Sequence, residues 1–275
     1  HQVPATGIPS HRNARGHPFD PSPRQDVMSV GTIAKVDRYR QMILTAAHKS
    51  GQPQHLASAM SIIHILHILY DKVMDHDRDL FVLSKGHAAL ALYAVLAARG
   101  DIKPEDLGTI GKAGSILGGH PDRMKVPGVT ASTGSLGTGI GMAIGMALAK
   151  QLKGEPGTVY CLVGDGEMQE GSALEALDIL TSMDLRNIVV LMDDNNSHEQ
   201  TLCEFDRPLT LGNLQAVMKE EPVYGLMRVG TIKGHGIAAM EKDPQAWHRR
   251  ALTDHEYQQF MMEVADGSDI PATRH

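Results

Sequence analysis

The stretch GDGEMQEG (164–171), with TVYCLV (158–163) before it and NIVVLMDDNN (187–196) after it, decides how this chain folds. TVYCLV has the continuous aliphatic character of a strand buried on both faces. It stops at Gly164. Ala173, Leu174, Leu177, Leu180 and Met183 then recur at three- and four-residue spacing, as in an amphipathic helix. NIVVLM returns to strand character and ends at Asp193. A strand, a helix and a second strand in that order make a parallel pair with a crossover. Both polar motifs therefore fall at the carboxyl ends of parallel strands, where open α/β sheets bind their ligands. Taken alone, Asp-Gly and Asn-Asn are ordinary turn formers. Their pairing across a strand–helix–strand unit is what points to a site.

The residue types at those ends suit a phosphate and a hard cation. Gly164 and Gly166 let the backbone come close to a diphosphate. Asp165 and Asn195 offer two side-chain oxygens to Mg²⁺, which prefers octahedral oxygen ligation shared with phosphate.

Length and composition narrow the class. The 275 residues allow one large α/β domain or two small ones. Hydrophobic residues make up 42% and aromatics only 4%, so the core is aliphatic, with 15 Met as adaptable filler. A net charge of −6 gives no support for nucleic-acid binding. Cys161 and Cys203 make no disulfide framework, and the expected setting is reducing and cytoplasmic. The first thirty residues lack the apolar core of a signal peptide. No run reaches the roughly 20 apolar residues of a membrane span.

Residues 1–29, with Pro4, Pro9, Pro18, Pro21 and Pro23, read as an extended arm, and 30–275 as one domain. Helices are expected over 30–48, 57–74, 87–99, 136–152 and 253–264, with a short one near Pro104–Ile110. Further strands are expected within 77–87 and 223–234. His64 and His67 lie on a strongly apolar helix and read as packed or interfacial. Gly137, Gly141 and Gly145 recur every fourth residue, a spacing that permits close helix packing at a subunit interface.

With these motifs in place, the chain resembles the N-terminal, diphosphate-binding half of a transketolase, over about residues 35–260. The carrying segments are FVLSKGHAAL (81–90), GGHPD (118–122), STGSLGTGIGMAIGMA (132–147), GDGEMQEG with DDNN, and TIKGHG (231–236) with WHRR (247–250). The Gly-Asp-Gly and Asn pair, separated by just under thirty residues, is similar to the thiamine-diphosphate motif. The resemblance implies a three-layer α/β/α thiamine-diphosphate-binding fold with a mostly parallel sheet, and thiamine diphosphate and Mg²⁺ as cofactors. It implies that Asp165, Asn195 and the backbone carbonyl of Ser197 ligate the metal. Gly164, Gly166, Glu167 and His87 belong to its diphosphate site, and Gly134 and Leu136 hold the aminopyrimidine. His120 and His248 line the channel above the thiazolium, where they bond a ketose hydroxyl or shuttle protons. Glu170 matches an interface glutamate.

Three departures from the family pattern shape the expected function. A full transketolase continues with a pyrimidine-binding and a C-terminal domain, which carry the glutamate that protonates the aminopyrimidine. This chain ends at 275, so the expectation is the diphosphate-binding subunit of a split enzyme, completed by a second chain as α₂β₂, acting on a sugar phosphate or related ketose. Gln52, in SGQPQ (50–54), stands where the family has a channel histidine, and an amide cannot act as acid or base near neutral pH. The stretch from Asn196 to Lys233 is shorter than the family's. Gln52 keeps a second expectation open, an E1-like subunit passing a two-carbon unit to a lipoyl or carrier-protein thiol. A third is a non-catalytic paralogue.

Overall fold

The computed structural model describes residues 30–195, 208–220 and 223–266. The arm expected at 1–29 lies outside the described residues, as do Ser197 and Cys203. The chain opens with α1 (Val30–Ser50) and α2 (Leu56–Ile68), which continues through a wider π turn, Leu69–Val73. β1 (Leu80–Leu83) and α3 (Ala89–Arg99) follow, then the long irregular stretch to α4 (Thr138–Lys153). The decisive unit is β2 (Val159–Gly164), α5 (Gly171–Ser182) and β3 (Ile188–Asp194). The rest is β4 (Pro208–Thr210), α6 (Leu211–Glu220), β5 (Gly225–Gly230), α7 (Ala238–Lys242) and α8 (Asp254–Ala265).

The five strands form one sheet in the order β1-β2-β3-β5-β4, every neighbouring pair parallel. Alternate side chains serve the two faces, as the two-residue period of a strand requires. Phe81, Leu83, Tyr160, Leu162, Val189 and Leu191 join a core with residues of α1, α2, α3, α6 and α8. Val82, Val159, Cys161, Val163, Val190 and Met192 join a second core with residues of α4 and α5. The result is the three-layer α/β/α arrangement. Cys161 is a free thiol in the second core, and burial pushes its pKa well up.

Leu56–Val73 is long and apolar enough to cross a membrane by composition, but 83% of it is buried inside the fold. All 13 residues of α2 are buried, as expected of a helix apolar on every side. Of the glycines spaced at four, Gly141 and Gly145 face open space on α4. The close contact belongs to Gly139, where a Cβ would lie 2.3 Å from Ser84 Oγ at the end of β1.

Strand register positions the site. Gly164 pairs with Asp193, and Asp194 with Gly230. The Asp165 amide donates to the Asp193 carbonyl at 3.2 Å and the Thr231 amide to the Asp194 carbonyl at 2.9 Å. The carboxyl ends of β2, β3 and β5 thus end level and tied together.

Candidate functional site

At the centre of this edge lies Asp193, wholly buried at the end of β3. Its carboxylate accepts from Lys85 Nζ, Thr231 Oγ1, Ser61 Oγ (2.7 and 2.9 Å) and Asn195 Nδ2 (2.8 Å). Burial opposes its ionisation, but the Lys85 ammonium and the hydroxyl donors outweigh that and hold the carboxyl below its ordinary range. Asp193 and Lys85 lie inside DDNN and FVLSKGHAAL, but the sequence assigns neither of them a role. The one available signal is a lysine directly after a buried strand, in Ser84-Lys85-Gly86.

Asp193 also orients its neighbour. The Asn195 amide nitrogen donates to Asp193 and, at 3.3 Å, to Ser61 Oγ. With the nitrogen so engaged, the amide oxygen is the atom of Asn195 suited to a hard cation. Asp165 caps the turn that follows β2, its Oδ1 accepting from the Gly166 amide at 2.8 Å. Among the described residues, no three His, Cys, Asp or Glu side chains converge as a ligand cage. Two side-chain oxygens on adjacent strand ends, with glycine backbone beside them, suit a cation that takes its remaining ligands from a phosphate. The residues present fit Mg²⁺ with a diphosphate. Lys233, half-buried, lies within electrostatic reach of Asp165, Asp193 and Lys85, and burial lowers its pKa.

Glu167 turns inward. It is 2% exposed, and its carboxylate accepts from Ser84 Oγ, the Gly137 amide (2.8 Å) and the Gly164 amide (3.3 Å). Burial raises its pKa, and these donors offset part of the rise. Expected among the diphosphate-site residues, it acts through the backbone it holds. It ties the start of α4 to the end of β2. Gly137 itself sits at φ +81°, where a Cβ would lie 2.2 Å from Ser172 Oγ.

A group of histidines adjoins this cradle. His87 stands in the turn after β1, and a Cβ at Gly86 would meet Thr133 Oγ1 at 2.9 Å and the Gly134 amide at 3.0 Å. The two glycine-bearing segments are therefore in direct contact. His120, its carbonyl held by Tyr93 Oη at 2.9 Å, packs against Gly134, where a Cβ would lie 3.3 Å from the ring. Leu136 is 37% exposed beside them. His248 follows the buried Trp247 and is exposed. An antiparallel bridge between Gln54 and Arg250, with amides donating both ways at 3.0 and 3.2 Å, draws the loop of His248 against the start of α2.

That bridge brings in His55, which no motif of the sequence marks. Its ring centroid is 4.9 Å from His248 and 5.3 Å from His87, and those two are 6.4 Å apart. Burial, then the charges of His248 and Arg249, lower the His55 pKa to about 4. Burial and Lys85 push His87 far below its usual range. Burial and Lys233 lower His248. At neutral pH these rings are uncharged, each offering one donor and one acceptor. Gln52 is exposed, packing beside Gly111 with its backbone amide donating to Ser50 Oγ at 3.1 Å. His235, in TIKGHG, is buried and bonded to Glu241 at 3.0 Å. His64 and His67 are packed within the core, as expected.

The fold and site define a thiamine-diphosphate-binding α/β domain. Residues 32–201 match the family described as transketolase, thiamine diphosphate binding domain. The chain belongs to the transketolase family. It is 30% identical over 272 residues to one subunit of the apulose-4-phosphate transketolase of Phocaeicola vulgatus, covering 87% of this chain and 96% of that protein. It is 29% identical over 242 residues to 6-deoxy-6-sulfo-D-fructose transketolase subunit SqwG of a Clostridium species (strain MSTE9), covering 76% and 88%. The transketolase crystal structure from Campylobacter jejuni superposes with a TM-score of 0.75 at 22% identity, covering 86% of this chain and 43% of that one.

Proposed function

We propose that this chain is the thiamine-diphosphate- and Mg²⁺-binding subunit of a two-chain transketolase. In this reading it moves a two-carbon ketol unit from a ketose with an anionic end group to an aldehyde acceptor. The observation that carries the reading is the register of β2 and β3, which sets Asp165 and Asn195 on adjacent strand ends beside a cluster of uncharged histidines.

Asp165, Asn195 and the carbonyl of Ser197 would hold the metal, and the Gly166 amide and His87 the diphosphate. When bound, thiamine diphosphate supplies the carbon nucleophile that cleaves the ketose and carries its two-carbon fragment. The chain's own residues then orient and exclude. Gly134 and Leu136 hold the pyrimidine side of the cofactor. His120 and His248 bond substrate hydroxyls, and an uncharged imidazole can accept a hydroxyl proton and return it. Lys85 and Lys233 place positive potential beside the diphosphate.

A second chain would supply the pyrimidine-binding and C-terminal domains, in an α₂β₂ assembly. This chain covers nearly all of a relative that is named as one subunit of its enzyme, which supports that division. The names of two relatives support a ketose bearing phosphate or sulfonate. Affinity purification from native cells, followed by ketol-transfer assays with ketose phosphates and ribose 5-phosphate, tests the reading. It expects a co-purifying chain and Mg²⁺-dependent transfer to aldose. Acylation of a lipoyl or carrier thiol with no aldose transfer overturns it.

A further inference from the structure

We infer that Arg249 receives the anionic end group of the ketose, a phosphate or a sulfonate, at the exposed side of the histidine cluster. The inference rests on the transketolase reading and deepens it by naming a residue of this chain that selects for a charged substrate. Four observations lead to it.

First, the two arginines of Trp247-His248-Arg249-Arg250 are used differently. Arg250 is committed to the fold. Its guanidinium bonds Glu256 at 2.5 Å and lies 4.2 Å from the Trp247 ring centroid, and its backbone bridges to Gln54. Arg249 is exposed, and among the described residues no hydrogen bond, ion pair or ring contact engages its guanidinium. Second, the backbone on both sides of Arg249 is fixed. The His248 amide donates to the Gln245 carbonyl at 3.1 Å, and Arg250 is held by the bridge. Third, Arg249 belongs to the histidine group. It follows His248, whose ring centroid is 4.9 Å from that of His55, and its charge and that of His120 both reach the His55 ring. Fourth, the other cations of the site serve the cradle. Lys85 is paired with Asp193, and Lys233 lies within electrostatic reach of Asp165, Asp193 and Lys85.

The chemistry follows from this division. The histidines are uncharged near neutrality, so Arg249 is the permanent charge acting on the His55 ring. A guanidinium presents a planar fork of donors that pairs with two oxygens of a phosphate or sulfonate at once. An exposed fork beside uncharged rings suits a ketose whose hydroxyls point inward and whose charged end stays near solvent. The diphosphate of the cofactor carries the same anion chemistry, and the test separates the two.

The test uses the complex of this chain with its co-purifying partner. Wild type, Arg249→Gln and Arg249→Lys are assayed with xylulose 5-phosphate, 6-deoxy-6-sulfo-D-fructose and unphosphorylated xylulose as donors. Inorganic phosphate is titrated as a competitor. Thiamine diphosphate affinity with Mg²⁺ is measured by titration calorimetry on the same samples. For Arg249→Gln, the expected result is a KM raised about tenfold for whichever anionic donor the enzyme uses. Its KM for xylulose, its kcat and its cofactor Kd should stay at the wild-type values. Inhibition by phosphate should weaken in parallel. Arg249→Lys should recover part of the loss, because it keeps the charge and gives up the fork. An unchanged KM for the anionic donor, or an equal rise for xylulose, overturns the inference alone. So does a cofactor Kd that rises in Arg249→Gln, which would assign the guanidinium to the diphosphate. A wild type that cleaves xylulose but neither anionic donor overturns the inference and leaves the reading standing. A wild type that binds cofactor and cleaves none of the three overturns the transketolase reading, and the inference with it.

Discussion

At the scale of single residues, the site is organised around a buried charge pair. Lys85 and Asp193 are 2% and 0% exposed, and each is the other's main counter-charge. Removing one partner of such a pair strands the other in a medium that cannot solvate it. Asp193→Asn or Lys85→Met should therefore cost about 3–5 kcal/mol of stability, read from urea midpoints at pH 7.5. Replacing both with apolar residues should cost less than the sum of the two. Asp165, 7% exposed, instead caps the turn after β2 through the Gly166 amide. Asp165→Ala should weaken thiamine diphosphate binding in Mg²⁺ by about a hundredfold while the far-ultraviolet circular dichroism stays unchanged. Equal cofactor affinity in wild type and Asp165→Ala would remove Asp165 from the metal site.

At the scale of elements, α4 separates packing from function. A methyl group at Gly139 would meet Ser84 Cα at 2.6 Å, so Gly139→Ala must push the helix off β1. The expected loss is about 3 kcal/mol, together with weaker cofactor binding, because the same helix start is held by Glu167. At Gly141 nothing lies within 4 Å, and Ala should stabilise the isolated chain by up to ~1 kcal/mol. If that face meets a partner, Gly141→Ala will also weaken the complex. A tighter complex would rule out close packing there. β2, α5 and β3 are legible in the sequence because two aliphatic runs flank a helical stripe and both end in polar motifs. β4, with three residues, is too short to show a pattern, and α6 carries Leu211, Leu214, Val217 and Met218 at helical spacing, a stripe no motif of the sequence flags. The Lys85–Asp193 pair is invisible for another reason: its members lie 108 positions apart and meet only through the register of the sheet. His55 reads as loop because its contacts come from a bridge to residue 250, which no local pattern announces.

At the scale of the whole molecule, histidines that refuse protons set the response to pH. His64 is 1% exposed, both ring nitrogens lack partners, and burial followed by Arg40, His235 and His67 drives its pKa well below normal. Asp71 and Glu241 face this group only through His67 and His235. His87 and His55 are lowered as well. An unfolded histidine takes up its proton near pH 6.5. Below that pH the unfolded chain binds protons that the folded chain does not, so stability is full above about 6.5 and falls as pH drops. Asp193 and Asp71, held low by their partners, add losses of the same sign only in the carboxylate range. Glu167, raised by burial, works in the opposite direction there. Between pH 7 and 5 the histidines therefore dominate, His64 among them. His64→Leu keeps the core filled and removes one such ring. Its unfolding free energy should fall more gently than wild type's across that window, by about one proton's worth of slope. Equal slopes for the two proteins would mean that His64 accepts its proton in the folded state, and that the core beneath the site admits water.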